Sequence, residues 1–250
     1  LSTSFSPRGE EKPFCQQEEF MSVSITWYGH SCFRISENDT AAIIDPFITG
    51  NPKCPVKTED IPPVDAVLVT HDHGDHAGDA VALCNSRNAL CACVVGTATN
   101  LVARGLRKDL VPGSSGFNVG GTITHKGMSI TMTHAFHTSE SGTPVGYVLK
   151  MPGGFTIYHA GDTGIFGDMS LIGELYSPDV ALLPCGGFYT MDAKQAALAC
   201  RLLGVPAVIP MHWGTFGLLA QNTDEFAGEV RVAAPHCRVI AMVPGQTITL

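Results

Sequence analysis

The segment Thr70-His71-Asp72-His73-Gly74-Asp75-His76-Ala77-Gly78-Asp79 constrains this chain more than any other. It packs three histidines and three aspartates into the nine residues from His71 to Asp79. The run before it, Val64–Thr70, is apolar and rich in β-branched residues, and reads as a buried strand. The run after it, Ala77–Leu83, reads as the start of a helix. The cluster therefore falls where a strand ends and a helix begins. His71 and His73 are two apart, so an extended segment points both the same way. Gly74 then permits a sharp turn, after which Asp75 and His76 face a second, nearby point. Imidazole with carboxylate suits zinc, manganese, iron or nickel better than calcium or magnesium. The spacing His-x-His-x-Asp-His thus offers two ligand pairs to two adjacent cations, and composition alone rarely collects six such residues in a solvated loop.

Composition narrows the class. Only 15% of the 250 residues are charged, against a usual share of roughly 25%. With 44% hydrophobic residues, this predicts one compact domain with an extensive core. The net charge of −8 is a poor match for a nucleic-acid backbone or an anionic membrane surface. No run approaches the roughly 18 apolar residues of a spanning helix. The nine cysteines are odd in number and scattered, which reads as small buried side chains in a reducing, cytoplasmic compartment. Residues 1–20 are rich in Ser, Pro, Glu and Gln and have no apolar core of a secretory signal. They are expected to form a flexible extension to a single domain over 21–250.

Other motifs recur along the chain: Tyr28-Gly29-His30-Ser31-Cys32-Phe33, Ile43-Ile44-Asp45-Pro46-Phe47, His159-Ala160-Gly161-Asp162-Thr163-Gly164, Gly167-Asp168-Met169 and Ile209-Pro210-Met211-His212. With the histidine-rich segment they resemble the metallo-β-lactamase superfamily. Within it they are similar to the uncharacterised metal-dependent hydrolases close to L-ascorbate-6-phosphate lactonase. The resemblance runs from about Met21 to Gly245. It implies an α+β, four-layer αββα sandwich with the site at one edge between two halves.

The local patterns agree with mixed α and β. Strands are predicted over Val23–Trp27, Cys32–Ile35, Ala41–Asp45, Ala92–Val95, Thr122–Thr124, Ser129–Thr133, Gly146–Lys150, Phe155–His159, Val180–Leu183, Val208–Pro210, Arg238–Val243 and Thr247–Leu250. Helices are predicted over Thr99–Gly105, Asp192–Leu203 and from about Asn222 to Val232. The proline-rich stretch 49–63 reads as a surface loop.

The resemblance also implies a ligand set. His71, His73 and His137 hold one cation; Asp75, His76 and His212 hold the other; and Asp162 bridges them. Asp75 and Asp162 are the candidate catalytic carboxylates. His134 competes with His137, and the family position favours His137, leaving His134 on the site wall. His30 is a second candidate for the wall. His159 is expected behind Asp162, and Asp45 is expected to orient a ligand histidine, since a buried carboxylate needs a partner. Asp72 and Asp79 are candidates to cap the following helix.

Two divalent cations with two carboxylates and a shared hydroxide leave a small positive charge in an acidic protein. A metal pair of this kind can share a hydroxide and polarise the bond it attacks. The expected function is therefore hydrolysis of a lactone, ester or phosphodiester in a small anionic substrate. Zinc is the superfamily default and the lactonase resemblance tilts toward manganese; iron and nickel also fit the ligands. A mononuclear iron persulfide dioxygenase keeps similar histidines and is the main alternative. A nuclease or phosphodiesterase of the same fold is another, but the net charge and the lack of an added RNA-binding arm weigh against a nuclease. Diiron flavoproteins of this fold have Glu where this chain has His73. The partner is thus a small molecule, and the lactonase resemblance implies a homo-oligomer.

Overall fold

A computed structural model describes residues 22–250. The expectation for residues 1–20 lies outside these. The first sheet is built from β1 (Ser24–Gly29), β2 (Cys32–Glu37), β3 (Thr40–Ile44), β4 (Ala66–Leu68) and β5 (Leu90–Ala92). The second holds β6 (Thr122–His125), β7 (Met128–His134), β8 (Val145–Lys150), β9 (Thr156–His159), β10 (Val180–Pro184), β11 (Ala207–Met211) and β12 (Arg238–Val239). The last strand, β13 (Thr247–Thr249), returns to pair with β1, so the six-stranded sheet runs β13-β1-β2-β3-β4-β5. The seven-stranded sheet runs β12 to β6 in reverse chain order.

The helices are α1 (Gly74–Ala77), α2 (Ala80–Arg87), α3 (Val95–Ala103), α4 (Met169–Tyr176), α5 (Ala193–Leu203) and α6 (Asp224–Ala233). Strand alternation sorts the side chains into three apolar layers. Phe33, Ile35, Ile44 and Leu68 from the first sheet meet Ile130, Met132, Leu182 and Ile209 from the second in the central core. Ile43 and Val67 point the other way, into a cluster with Leu83 of α2 and Leu101 of α3. Ala181, Leu183 and Val208 likewise face Ile172 of α4, Ala196 and Cys200 of α5, and Phe226 of α6. Both sheets are buried on two faces, which gives the αββα sandwich of the metallo-β-lactamase fold. The eight described cysteines are free, and all but Cys54 are buried. No helix among the described residues is long and apolar enough to cross a membrane.

Several local expectations fail for identifiable reasons. Val95, read as the end of a strand, opens α3, because β5 stops at Ala92 and the chain turns onto the outer face. Helix α4 was not legible: Leu171 and Leu175 are exposed, so its apolar spacing is blurred. Strand β12 is two residues long rather than six, since it pairs only with β11, through Ala207 and Val208.

The topology places the site. β3 and β4 run parallel, and β1 shares their direction because two antiparallel steps separate β1 from β3. β9, β10 and β11 are parallel, and β7 shares their direction by the same two-step relation through β8. His30, Asp45, His71, His137, Asp162 and His212 each lie within three residues of the carboxyl end of one of these strands. Cross-sheet bonds join the two rims: Val145 N–H donates to the Thr70 carbonyl at 3.0 Å and His212 N–H to the His30 carbonyl at 3.1 Å.

Candidate metal centre and active site

Three imidazoles are oriented from behind. The His71 Nδ1 lies 3.0 Å from Thr70 Oγ1, whose hydroxyl donates to Asp45 Oδ2 at 2.7 Å. Thr70 Oγ1 must therefore accept from His71 Nδ1–H. The same Asp45 oxygen accepts from His76 Nδ1–H at 2.8 Å, while Asp45 Oδ1 accepts from the Thr70 amide at 2.8 Å. His30 repeats the device: its Nδ1 meets Thr215 Oγ1 at 3.0 Å, and that hydroxyl donates to the Trp213 carbonyl at 3.4 Å. With its Nδ1 proton engaged, each ring when neutral presents a lone pair at Nε2.

Those lone pairs converge. His71 Nε2 lies 2.9 Å from His73 Nδ1, and His137 completes a group of three donor atoms all within 4.8 Å of one another. His30, Asp75, His76 and His212 form a second such group, and His71, His76 and Asp162 form a third that links them. Asp162 stands at the junction. Its Oδ2 is 3.0 Å from His212 Nε2, 3.2 Å from His76 Nε2 and 3.5 Å from His137 Nε2. The other oxygen, Asp162 Oδ1, is buried and has no hydrogen-bond partner; the same holds for His30 Nε2 and His76 Nε2. Buried polar atoms left unpartnered at one point fit a cation that the protein groups themselves do not replace.

The electrostatics agree. Burial pushes the His71 ring down to about 3 and the His30 ring down to about 4, so both are neutral donors. Burial also lowers His137. His76 goes the other way: burial lowers it, but Asp162 and Asp45 outweigh this and hold the ring well above its usual value. Burial raises Asp162, yet the His212 and His76 rings pull it well below the carboxylate range. The two carboxylates thus favour positive charge at His76, and its Nε2 edge, facing Asp162, is where a cation would supply it.

Backbone geometry delivers these groups. Gly161 adopts φ +62, and a Cβ there would lie 2.5 Å from the Val145 carbonyl, so only glycine fits the turn that presents Asp162. His159 braces the same turn: its Nδ1 accepts from the Gly161 amide at 3.1 Å, and its Nε2–H donates to the Ser31 carbonyl at 3.0 Å. His30, Asp45 and His212 all adopt the left-handed region (φ 53, 46 and 57) where the chain turns out of its strands at this edge.

Comparison with known proteins decides the family. A model described as Beta-lactamase superfamily domain matches residues 40–213. A UPF0173 metal-dependent hydrolase of Nitratidesulfovibrio vulgaris is 54% identical over 230 residues, covering 92% of this chain and 96% of the relative. The chain belongs to the UPF0173 metal-dependent hydrolase family. Another member, from Caldivirga maquilingensis, is 43% identical over 228 residues, covering 90% of this chain and 97% of its own. The solved structure of Igni18, a metallo hydrolase from the hyperthermophilic archaeon Ignicoccus hospitalis, superposes with a TM-score of 0.83 at 38% identity. That match covers 92% of this chain and 98% of Igni18. As a UPF0173 member of the metallo-β-lactamase superfamily, this protein is a metal-dependent hydrolase.

In this UPF0173 chain, four residues stand in surroundings other than those expected from the sequence. His134, expected on the site wall, packs its ring on Phe166 at 4.4 Å and is not among the residues that line the cleft. Asp79 makes no side-chain cap. It accepts from the Ile48 and Thr49 amides at 3.0 and 2.7 Å and ties down the loop after β3. Asp72 also caps nothing; it gathers the loop after β7 through Ser139, Glu140 and Ser141, with Asn100 of α3. His30 is nearer the centre than its reading as wall implied, with Nε2 3.2 Å from Asp75 Oδ2. Its position directly after β1, on the same rim as Asp45, was the available signal.

Above the cluster opens a cleft of about 370 Å³, lined by His73, Asp75, His137, Asp162 and His212 on its floor. Thr138, Tyr189, Phe216 and Leu218 form its walls. Lys53, Lys57 and Lys194, the cations nearest the candidate loops in sequence, are not among the lining residues.

Proposed function

We propose that the protein is a dinuclear hydrolase of a lactone, ester or phosphodiester in a small molecule. His71, His73 and His137 would hold one divalent cation; Asp75, His76 and His212 the other; and Asp162 both. The observation that carries this reading is the convergence of the His76, His137 and His212 Nε2 atoms on one oxygen of the buried Asp162 carboxylate, whose second oxygen is buried with no partner. Two separate donor groups, linked by a third that contains Asp162, support two cations rather than one.

When bound, such a pair supplies a water-derived nucleophile at neutral pH and a Lewis acid for the scissile group. The chain's own residues do the rest. Asp45 sets the ring plane of His76 directly and that of His71 through Thr70. Asp75 Oδ2 stands 3.2 Å from His30 Nε2 at the second group. The partly exposed His73 and Asp75 and the buried Asp162 line the cleft floor, where they would position the scissile group. The ligand set suits zinc or manganese, with iron and nickel as further fits. The motif likeness to L-ascorbate-6-phosphate lactonase supports the lactone arm.

The test is metal analysis by mass spectrometry on gently purified protein, with a hydrolysis panel of lactones, aryl esters and phosphodiesters run with zinc and with manganese. Two metals per chain and turnover of at least one bond class are expected. One metal per chain under excess supply, with oxidation of glutathione persulfide and no hydrolysis, overturns the reading in favour of a dioxygenase.

A further inference from the structure

The walls of the cleft point to the substrate class, an inference that rests on the hydrolase reading above. Apart from the floor, the lining consists of Thr138, Tyr189, Phe216 and Leu218, with no lysine or arginine among the described residues. Tyr189, Phe216 and Leu218 are 51%, 38% and 61% exposed, and Phe188 beside Tyr189 is 73% exposed. Large apolar side chains gathered around one concave site mark a binding surface.

These walls are built rather than loose. Gln221 Nε2 donates to the Phe216 and Leu219 carbonyls at 3.0 and 2.6 Å, closing the loop that carries Phe216 and Leu218. Ala220 N–H donates to the Gly186 carbonyl at 2.9 Å, tying that loop to the one carrying Phe188 and Tyr189. The second loop is a tight turn in which Gly187 N–H donates to the Met191 carbonyl at 3.0 Å. The Phe188 and Tyr189 rings meet edge to face at 4.7 Å. The Phe216 ring rests against His30 at 5.4 Å, so this wall abuts the second donor group. Loops held in place before binding lose little freedom when a ligand arrives.

We propose that this cleft selects substrates whose scissile group carries an aryl or branched alkyl substituent and no second anionic group. The scissile carbonyl or phosphoryl is recognised at the floor, and the apolar substituent lies against Tyr189, Phe216 and Leu218. A sugar phosphate or dicarboxylate would bring a further anion to walls that offer it no cation and would strip its hydration without replacement.

The experiment uses the metal-loaded full chain in two arms. The first compares γ-butyrolactone with its γ-phenyl and γ-carboxylate derivatives, and methyl with phenyl 4-nitrophenyl phosphate, each rate divided by its hydroxide-catalysed rate. The phenyl compounds are expected to exceed the unsubstituted ones in kcat/KM by about tenfold or more, with the carboxylate below both. The second arm measures calorimetric binding of methyl phenylphosphonate against methyl methylphosphonate, with about tenfold tighter binding of the phenyl compound expected. In the Phe216→Ser/Leu218→Ser protein, the phenyl-to-unsubstituted ratio should collapse toward one, whatever loss both substrates share. Leu218→Lys, a change at an exposed position, should raise the carboxylate derivative relative to the phenyl one. Turnover with equal rates, or with the carboxylate preferred, overturns this inference and leaves the hydrolase reading standing. Selective phenylphosphonate binding without turnover of any compound retains the apolar wall and overturns the hydrolase reading.

Discussion

The carboxylate of Asp45 and the imidazole of His76 meet at 2.8 Å, 31 residues apart in sequence, with neither side chain exposed. Through Thr70 the same carboxylate also holds His71. One residue thereby orients a nitrogen in each of two donor groups. Asp45→Asn keeps the size but loses the charge and one acceptor. It should weaken cation binding by about 10- to 100-fold, read by competition with a chromogenic chelator. Unchanged affinity at both sites would remove Asp45 from the centre.

Asp162 touches both groups, so its loss should separate them. Asp162→Ala is expected to fall from two tightly held cations to at most one, with hydrolysis lowered by at least about a thousandfold. The fold should survive, because the apolar layers do not include this side chain. Metal counting with circular dichroism checks both halves. Two retained metals and near-normal turnover would contradict the assignment.

His30 supplies a buried, unpartnered Nε2 3.2 Å from Asp75. His30→Gln should lower affinity for the second cation while leaving the first in place. A cobalt-substituted protein reads this directly, since loss of one nitrogen neighbour changes the visible absorption of only one bound equivalent. Identical spectra in wild type and variant would confine His30 to packing.

Gly161→Ala should destabilise by about 3 kcal/mol, combining a left-handed φ with a Cβ against the Val145 carbonyl. Denaturant unfolding measures it. The same change should move Asp162 and lower metal affinity; a neutral effect on both would mean that the turn has room to relax.

Asp72 is deeply buried and accepts from Ser139, Ser141, Glu140 and Asn100. Burial raises its carboxyl, but these donors, led by Ser139, Ser141 and Asn100, hold it well below the usual carboxylate range. Asp72→Ala should destabilise by about 3 kcal/mol at neutral pH. A depressed carboxyl stabilises the fold fully above its unfolded value of about 3.9 and loses that contribution as pH falls through the folded value. The stability gap between wild type and Asp72→Ala should therefore shrink only below about pH 4. A gap that closes between pH 7 and 5 would assign the effect to other groups.

Much of the site was legible because ligand chemistry needs particular side chains at particular spacings. His71, His73, Asp75 and His76 announce themselves within six residues, and a period of two followed by a glycine turn is a local property of the backbone. The strand before them was readable as an apolar, β-branched run. The choice of His137 over His134 was not local. Both follow or end one strand, and only the packing of His134 on Phe166 and the approach of His137 to Asp162 separate them. The jobs of Asp72 and Asp79 were equally hidden, since each bonds a loop distant in sequence.

By itself the sequence determined which residues could bind cations and that the chain mixes α and β, because residue type and periodicity are written along the chain; the sandwich of two sheets covered on both faces was implied by the family resemblance of its motifs. Only the tertiary structure decided which donors share a point in space. That depends on the direction of strands related through intervening antiparallel neighbours, on the rim where β1, β3, β4, β7, β9 and β11 all end, and on bonds such as His212 N–H to the His30 carbonyl that close the two sheets against each other. The apolar walls above the centre were decided there too. Tyr189 and Phe216 stand on loops of the same half of the sandwich, 27 residues apart in chain numbering, and become one surface only when Ala220 is tied to Gly186.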